Sequence, residues 1–101
     1  MEKNLDVNAL RQSAGKATSL LKVLSNSDRL LLLCQLTEGE LCVSELEAIT
    51  GIEQPTLSQQ LGVLREEGVV STRREGRQIF YSIDSPSALA VMQVLYQQFC
   101  A

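Results

Sequence analysis
The chain has 101 residues, 45% of them hydrophobic and 21% charged, with a formal net charge of −3 at pH 7. That is the length of one domain, whose modest core would gain from pairing with a second copy, and it leaves no room for another domain. There is no histidine, which removes the commonest metal ligand and the usual neutral-pH acid–base group, and no apolar run reaches the ~20 residues that span a bilayer.

Apolar or small residues at Leu10, Ala14, Ala17, Leu20, Leu21 and Leu24 recur at helical spacing and predict a first helix over 8–24. Ser25-Asn26-Ser27-Asp28 fits a capping box ahead of the run RLLLLCQL, residues 29–36. Its four consecutive leucines predict a helix buried nearly all round, with Cys34 inside it. A third helix is predicted over 43–50, with Leu46 and Ile49 facing inward and Gly51 giving a left-handed stop. A fourth starts near Pro55, a residue suited to the first helical position, and runs to Glu67. Leu57, Leu61 and Leu64 share its inner face, and Gly68 stops it. VVSTRREGRQIFYSI then reads as a hairpin centred on Glu75-Gly76, with Ile79, Tyr81 and Ile83 on one face and the arginines at the tip. Ser85 caps and Pro86 opens a last helix lined by Leu89, Met92, Leu95, Tyr96 and Phe99, with Cys100 just beyond.

The third and fourth helices have the length and turn of a helix-turn-helix over 43–67, and a hairpin over 69–83 follows at once. The expected fold is a single domain, 1–101, mainly α with a β-hairpin wing (α-α-α-α-β-β-α): a winged helix-turn-helix. Helix four offers Gln54, Thr56, Ser58, Gln59 and Gln60 around its N-terminal half, and Ser44 opens helix three. Glutamine can bond adenine bidentately in the major groove, and hydroxyls near a helix N-terminus suit phosphates. Arg73, Arg74 and Arg77 would neutralise phosphates or enter the minor groove.

A polar helix face by itself is an ordinary solvated face. The basic hairpin directly after the helix-turn-helix is what points to double-stranded DNA. The acidic net charge is no veto, because the acids crowd into 38–53 and 66–67 while the arginines crowd into 73–77. No aromatic residues interleave with the basic patch, so single-strand stacking is not expected. Without histidine or a phosphate-binding glycine loop, neither an enzyme nor a cofactor is expected. MEKNLDVNAL lacks the apolar core of a signal peptide, so a cytoplasmic location with reduced thiols and no membrane partner is expected.

The segments LLKVLSNSDRLLLLCQL, ELCVSELEAITGIEQPTLSQQLGVLREEGVV and TRREGRQIFYSI resemble the ArsR family of bacterial winged-helix repressors over nearly the whole chain. The resemblance implies a homodimer on a palindromic operator, released by an inducer, with the helices over 8–25 and 85–100 forming the dimer interface. Family members often have histidine where Gln60 stands, and favour serine where Glu53 and Pro55 stand. Arsenic- and cadmium-sensing members carry two thiols in the stretch that reads ELCVSEL here. Cys42 remains, but Ser44 replaces the second thiol. Zinc-sensing members use Asp and His between their last helices; here there is no histidine, and Asp84 precedes that helix.

The remaining pair, Cys34 and Cys100, resembles the branch of the family in which oxidants or reactive sulfur species join two thiols by a disulfide or polysulfide bridge. Such a bridge would tie helix two to the dimer helix and shift recognition helices whose separation must match about one turn of DNA. Two alternatives stand beside it. One is a soft-metal or arsenite sensor using thiolates of Cys34, Cys42 and Cys100. The other is a constitutive DNA-binding protein with structural cysteines, since a cysteine inside LLLLCQL is by itself an ordinary small hydrophobe. Cys42 occupies an N-cap position with Glu45 three residues on, and is either a reactive thiol or a poor cap.

Overall fold
The computed structural model describes residues 6–100. Asp6 opens α1 (Val7–Leu24) by accepting a hydrogen bond from the Asn8 amide at 3.2 Å. Only the last turn of α1 enters the core, through Val23 and Leu24, while residues 7–19 are exposed throughout. Helix α2 (Ser27–Leu36) begins two residues earlier than expected. Its cap is Asn26, whose side-chain carbonyl accepts from the Arg29 amide at 3.0 Å, rather than Ser25. Leu32, Leu33 and Leu36 are buried, but Leu31 is 39% exposed, so the helix is not sealed all round. Cys34 is half-buried.

Helix α3 (Val43–Thr50) and α4 (Thr56–Glu66) form the helix-turn-helix, with Gly51 at φ 72° reversing the chain between them. That positive φ is one that only glycine adopts without strain. Leu46 is fully buried, whereas Ile49, expected to face inward, is 54% exposed. Ile52, just past the reversal, takes the core position instead at 8%. Pro55 is the N-cap of α4 rather than its first helical residue, and the helix ends at Glu66, one residue short of expectation. Leu57, Leu61 and Leu64 face inward as their spacing predicts.

The wing is β2 (Val70–Glu75) and β3 (Gln78–Ile83), antiparallel, with Val70 opposite Ile83 and Glu75 opposite Gln78. Gly76 and Arg77 form the turn, one residue later than the predicted centre. Gly76 has φ 62°, the positive value needed at the first position of such a two-residue turn. A two-residue strand, β1 (Leu41–Cys42), pairs with β3 and gives the sheet order β1-β3-β2. Two residues carry no periodicity, so sequence could not show it. Helix α5 (Pro86–Phe99) starts as expected: Ser85 Oγ accepts from the Ala88 amide at 3.1 Å and Pro86 is in the first turn.

One core joins every helix to the wing: Leu24, Leu32, Leu33, Leu46, Leu57, Leu61, Leu64, Val70 and Met92 are all at 4% exposure or less. Each such large side chain contributes about 1.5–3 kcal/mol on burial. Among the described residues no buried side-chain polar atom lacks a partner, and no helix is long and apolar enough to cross a membrane.

Candidate nucleic-acid interface and thiol pair
The recognition helix α4 turns one face into the core through Leu57, Leu61 and Leu64, which sends residues 58, 59, 62, 63 and 66 outward. Ser58 and Gln59 are exposed, and Thr56 is half-buried at the N-terminus. Gln54 is engaged locally, since its Oε1 accepts from the Ser58 amide at 3.0 Å and caps the first turn of α4. Gln60 turns inward, where its Oε1 accepts from Arg29 Nη1 at 2.9 Å.

Arg29 does not stand out in the sequence, yet it ties three elements together. Its Nε donates to the Val23 carbonyl at 2.6 Å and its Nη2 to the Lys22 carbonyl at 3.3 Å, so it caps α1 as well as gripping α4. A cation at a helix C-terminus is favourable. The signal was present: a lone arginine at the head of an apolar helix must find partners. Val63, 37% exposed on the outward face of α4, is likewise silent in the sequence pattern. Apolar side chains at such a position can read a thymine methyl.

The wing arginines differ in circumstance. Arg73 is held by Glu40 through Nε at 2.8–2.9 Å and Nη2 at 2.5 Å, and by Glu75 through Nη1 at 2.7 Å. Its guanidinium lies 4.7 Å from the centre of the Phe80 ring. These hydrogen bonds push the Arg73 pKa up and the Glu40 carboxyl down from its ordinary value. Arg74 donates Nε to the Gly76 carbonyl at 3.1 Å, and Arg77 is in the turn; both are exposed. Among the described residues neither forms an ion pair. The free positive charge of the wing therefore sits at Arg74 and Arg77.

The three cysteines fall into two places. Cys34 from α2 and Cys100 at the end of α5 open onto one cleft of about 250 Å³, walled by Leu30, Met92, Leu95, Tyr96 and Phe99. Burial pushes the Cys34 thiol up, and the neighbouring Cys100 adds to the shift. Cys100 is exposed at the rim. Cys42 is elsewhere, 4% exposed, beside a cleft of about 350 Å³ between the start of α3 and the wing turn. Its amide donates to Glu45 Oε1 at 3.0 Å, which lowers the Glu45 carboxyl pKa, and its Sγ lies 3.2 Å from the exposed Ser44 Oγ. Cys42 is thus the N-cap residue of α3. The three thiols do not converge, and among the described residues no three Cys, Asp or Glu side chains are grouped to hold a metal ion.

Residues 26–72 match the family model described as bacterial regulatory protein, arsR family. The chain is 49% identical to the biofilm growth-associated repressor of Agrobacterium fabrum, over 100% of this chain and 91% of the relative. Among solved structures, the transcriptional repressor BigR from Xylella fastidiosa superposes with a TM-score of 0.87 at 49% identity, covering 96% of this chain and 99% of that one. Reduced HlyU from Vibrio cholerae superposes at 0.90 with 36% identity, covering 94% and 100%. The expected winged helix-turn-helix is thereby established, and these relatives are regulators rather than enzymes. The chain belongs to the ArsR family, as a DNA-binding regulator of transcription.

Proposed function
We propose that this chain is a homodimeric repressor that binds a palindromic operator through α4 and the wing, and releases it when a bridge forms between Cys34 and Cys100. The observation that carries the switch is the convergence of these two cysteines, 66 positions apart in sequence, on one apolar cleft. Reduced, the two thiols leave α2 and α5 joined only by packing. A disulfide or polysulfide bridge fixes their separation, and α2 also packs against α4. A covalent change on α2 thus acts on the element that carries the recognition helix.

DNA contact is assigned to Ser58, Gln59 and Val63 for base edges, and to Ser44, Thr56, Arg74 and Arg77 for phosphates. Gln54 and Gln60 support the helix from its two sides, and Arg73 contacts phosphate only on leaving Glu40. Dimerisation is supported by the exposed apolar residues of two helices: Val7, Leu10 and Leu21 on α1, and Val94, Tyr96 and Phe99 on α5. A second copy would cover them. The relatives support the functional class, being named a biofilm growth-associated repressor and a transcriptional repressor, with HlyU described in a reduced form. The dispersal of the three cysteines speaks against the three-thiolate metal sensor.

The test is an operator titration with wild type, Cys34→Ser and Cys100→Ser, with and without a sulfane-sulfur donor. All three are expected to bind DNA when reduced, and only wild type to lose affinity with the donor. A normal response from either variant would refute the switch.

A further inference from the structure
We infer that the switch takes its sulfur from neutral, apolar sulfane donors of the dialkyl polysulfide kind in preference to anionic ones. This rests on the thiol-switch reading and deepens it. The five side chains that wall the cleft around Cys34 and Cys100 are two leucines, a methionine, a tyrosine and a phenylalanine, none of them charged. The whole of α5, PSALAVMQVLYQQF, carries no charged residue. The one cation of α2, Arg29, lies in its first turn, at the other end from Cys34, and is spent on the Lys22 and Val23 carbonyls and on Gln60. Beyond Cys34 on the same segment the next charge is Glu38, an acid. The net charge of the chain is −3. An anionic donor entering this cleft loses hydration and meets no counter-charge. An alkyl donor exchanges water for leucine and phenylalanine.

The positions of the sulfurs give an order of events. Cys100 is at the exposed rim and Cys34 is deeper, so Cys100 meets the donor first. The Cys100 thiolate attacks the central sulfur of R–S–S–S–R, one S–S bond breaks, and R–S⁻ leaves and takes up a proton. The Cys34 thiolate then attacks that same sulfur and expels the second R–S⁻. The product is Cys34–S–S–S–Cys100 with two molecules of RSH: the protein thiols lose two electrons and two protons, and the donor is reduced to two thiols.

The experiment compares diethyl trisulfide with bis(2-carboxyethyl) trisulfide on the reduced full-length protein. Bridged peptide is followed by mass spectrometry, and each rate is divided by that donor's rate with N-acetylcysteine amide. The normalised rate with the diethyl donor is expected to be at least about tenfold higher, the ratio that burying roughly two methylenes supplies. A wild-type ratio near one, or favouring the dicarboxylate, overturns the donor class while leaving the switch standing. Absence of any bridge with either donor, while iodoacetamide still labels both cysteines, overturns the switch itself.

Discussion
Gly62 lies on the outward face of α4 with nothing within 4 Å of where a Cβ would stand. Glycine in a helix interior costs about 1 kcal/mol relative to alanine, and no packing in the free chain explains it. In the proposed operator complex, close approach of the α4 backbone to DNA would explain it. Gly62→Ala is therefore expected to raise stability by about 0.5–1 kcal/mol in a denaturant titration and to weaken operator binding severalfold by fluorescence anisotropy. Higher stability with unchanged affinity would remove Gly62 from the interface. Cys34 yields a second expectation. Burial, and then Cys100, raise its pKa, so less of it is thiolate at neutral pH. Its alkylation rate should climb with pH through a midpoint above the ordinary thiol value. Cys100→Ser should lower that midpoint while leaving it raised, because burial is the larger cause. A midpoint at the ordinary value would mean that Cys34 is freely solvated. At this scale the sequence grouped Ser58, Gln59 and Gln60 on one polar face, and only the structure separates them: Gln60 is turned inward by Arg29, a partner 31 positions away that no local pattern shows.

Between elements, the Glu40–Arg73 pair joins the loop after α2 to the wing. That loop begins at Thr37, whose Oγ1 donates to the Cys34 carbonyl at 2.8 Å. Glu40, the carboxylate that holds the wing arginine, follows Cys34 by six positions along the same stretch of backbone. Both members of the pair are substantially exposed, so its worth to stability is small. In the proposed operator complex its larger effect would be on DNA, where a phosphate would have to compete with Glu40 for Arg73. Glu40→Gln is expected to raise affinity for all sequences alike and to steepen the salt dependence by about one ion released. An unchanged slope would mean that Arg73 stays with Glu75 and Phe80 and never reaches phosphate. The helix-turn-helix was legible because its punctuation is chemical: Cys42 with Glu45 at the start of α3, Gly51 at its end, Pro55 and Gly68 around α4. Strand β1 was not, because its pairing with β3 is supplied by a partner about 40 positions away. Ile49 was misassigned because a three-residue step from Leu46 fits the inner face, but the chain reverses at Gly51 and delivers Ile52 there first.

At the scale of the molecule, α1 is 18 residues long yet anchored only by its last turn. The exposed stretch, residues 7–19, has a length at which an isolated helix is marginal in water, so it needs a partner surface. The exposed apolar residues on α5 supply the same need. Pairing two copies through these helices would set the spacing of two α4 helices on a two-fold operator, and would place the Cys34–Cys100 cleft beside the pairing helix. The fold and the DNA-reading face came from periodicity and caps. The pairing of Cys34 with Cys100 came only from the family resemblance, because no local pattern encodes the closeness of two residues 66 positions apart. The most direct measurement treats operator-bound protein with a sulfane-sulfur donor, separates bound from released protein, and maps the cysteines of each by peptide mass spectrometry. The expected result is a Cys34–Cys100 bridge in the released fraction and free thiols in the bound one. Released protein with both thiols free, or bound protein carrying the bridge, would contradict the thiol switch.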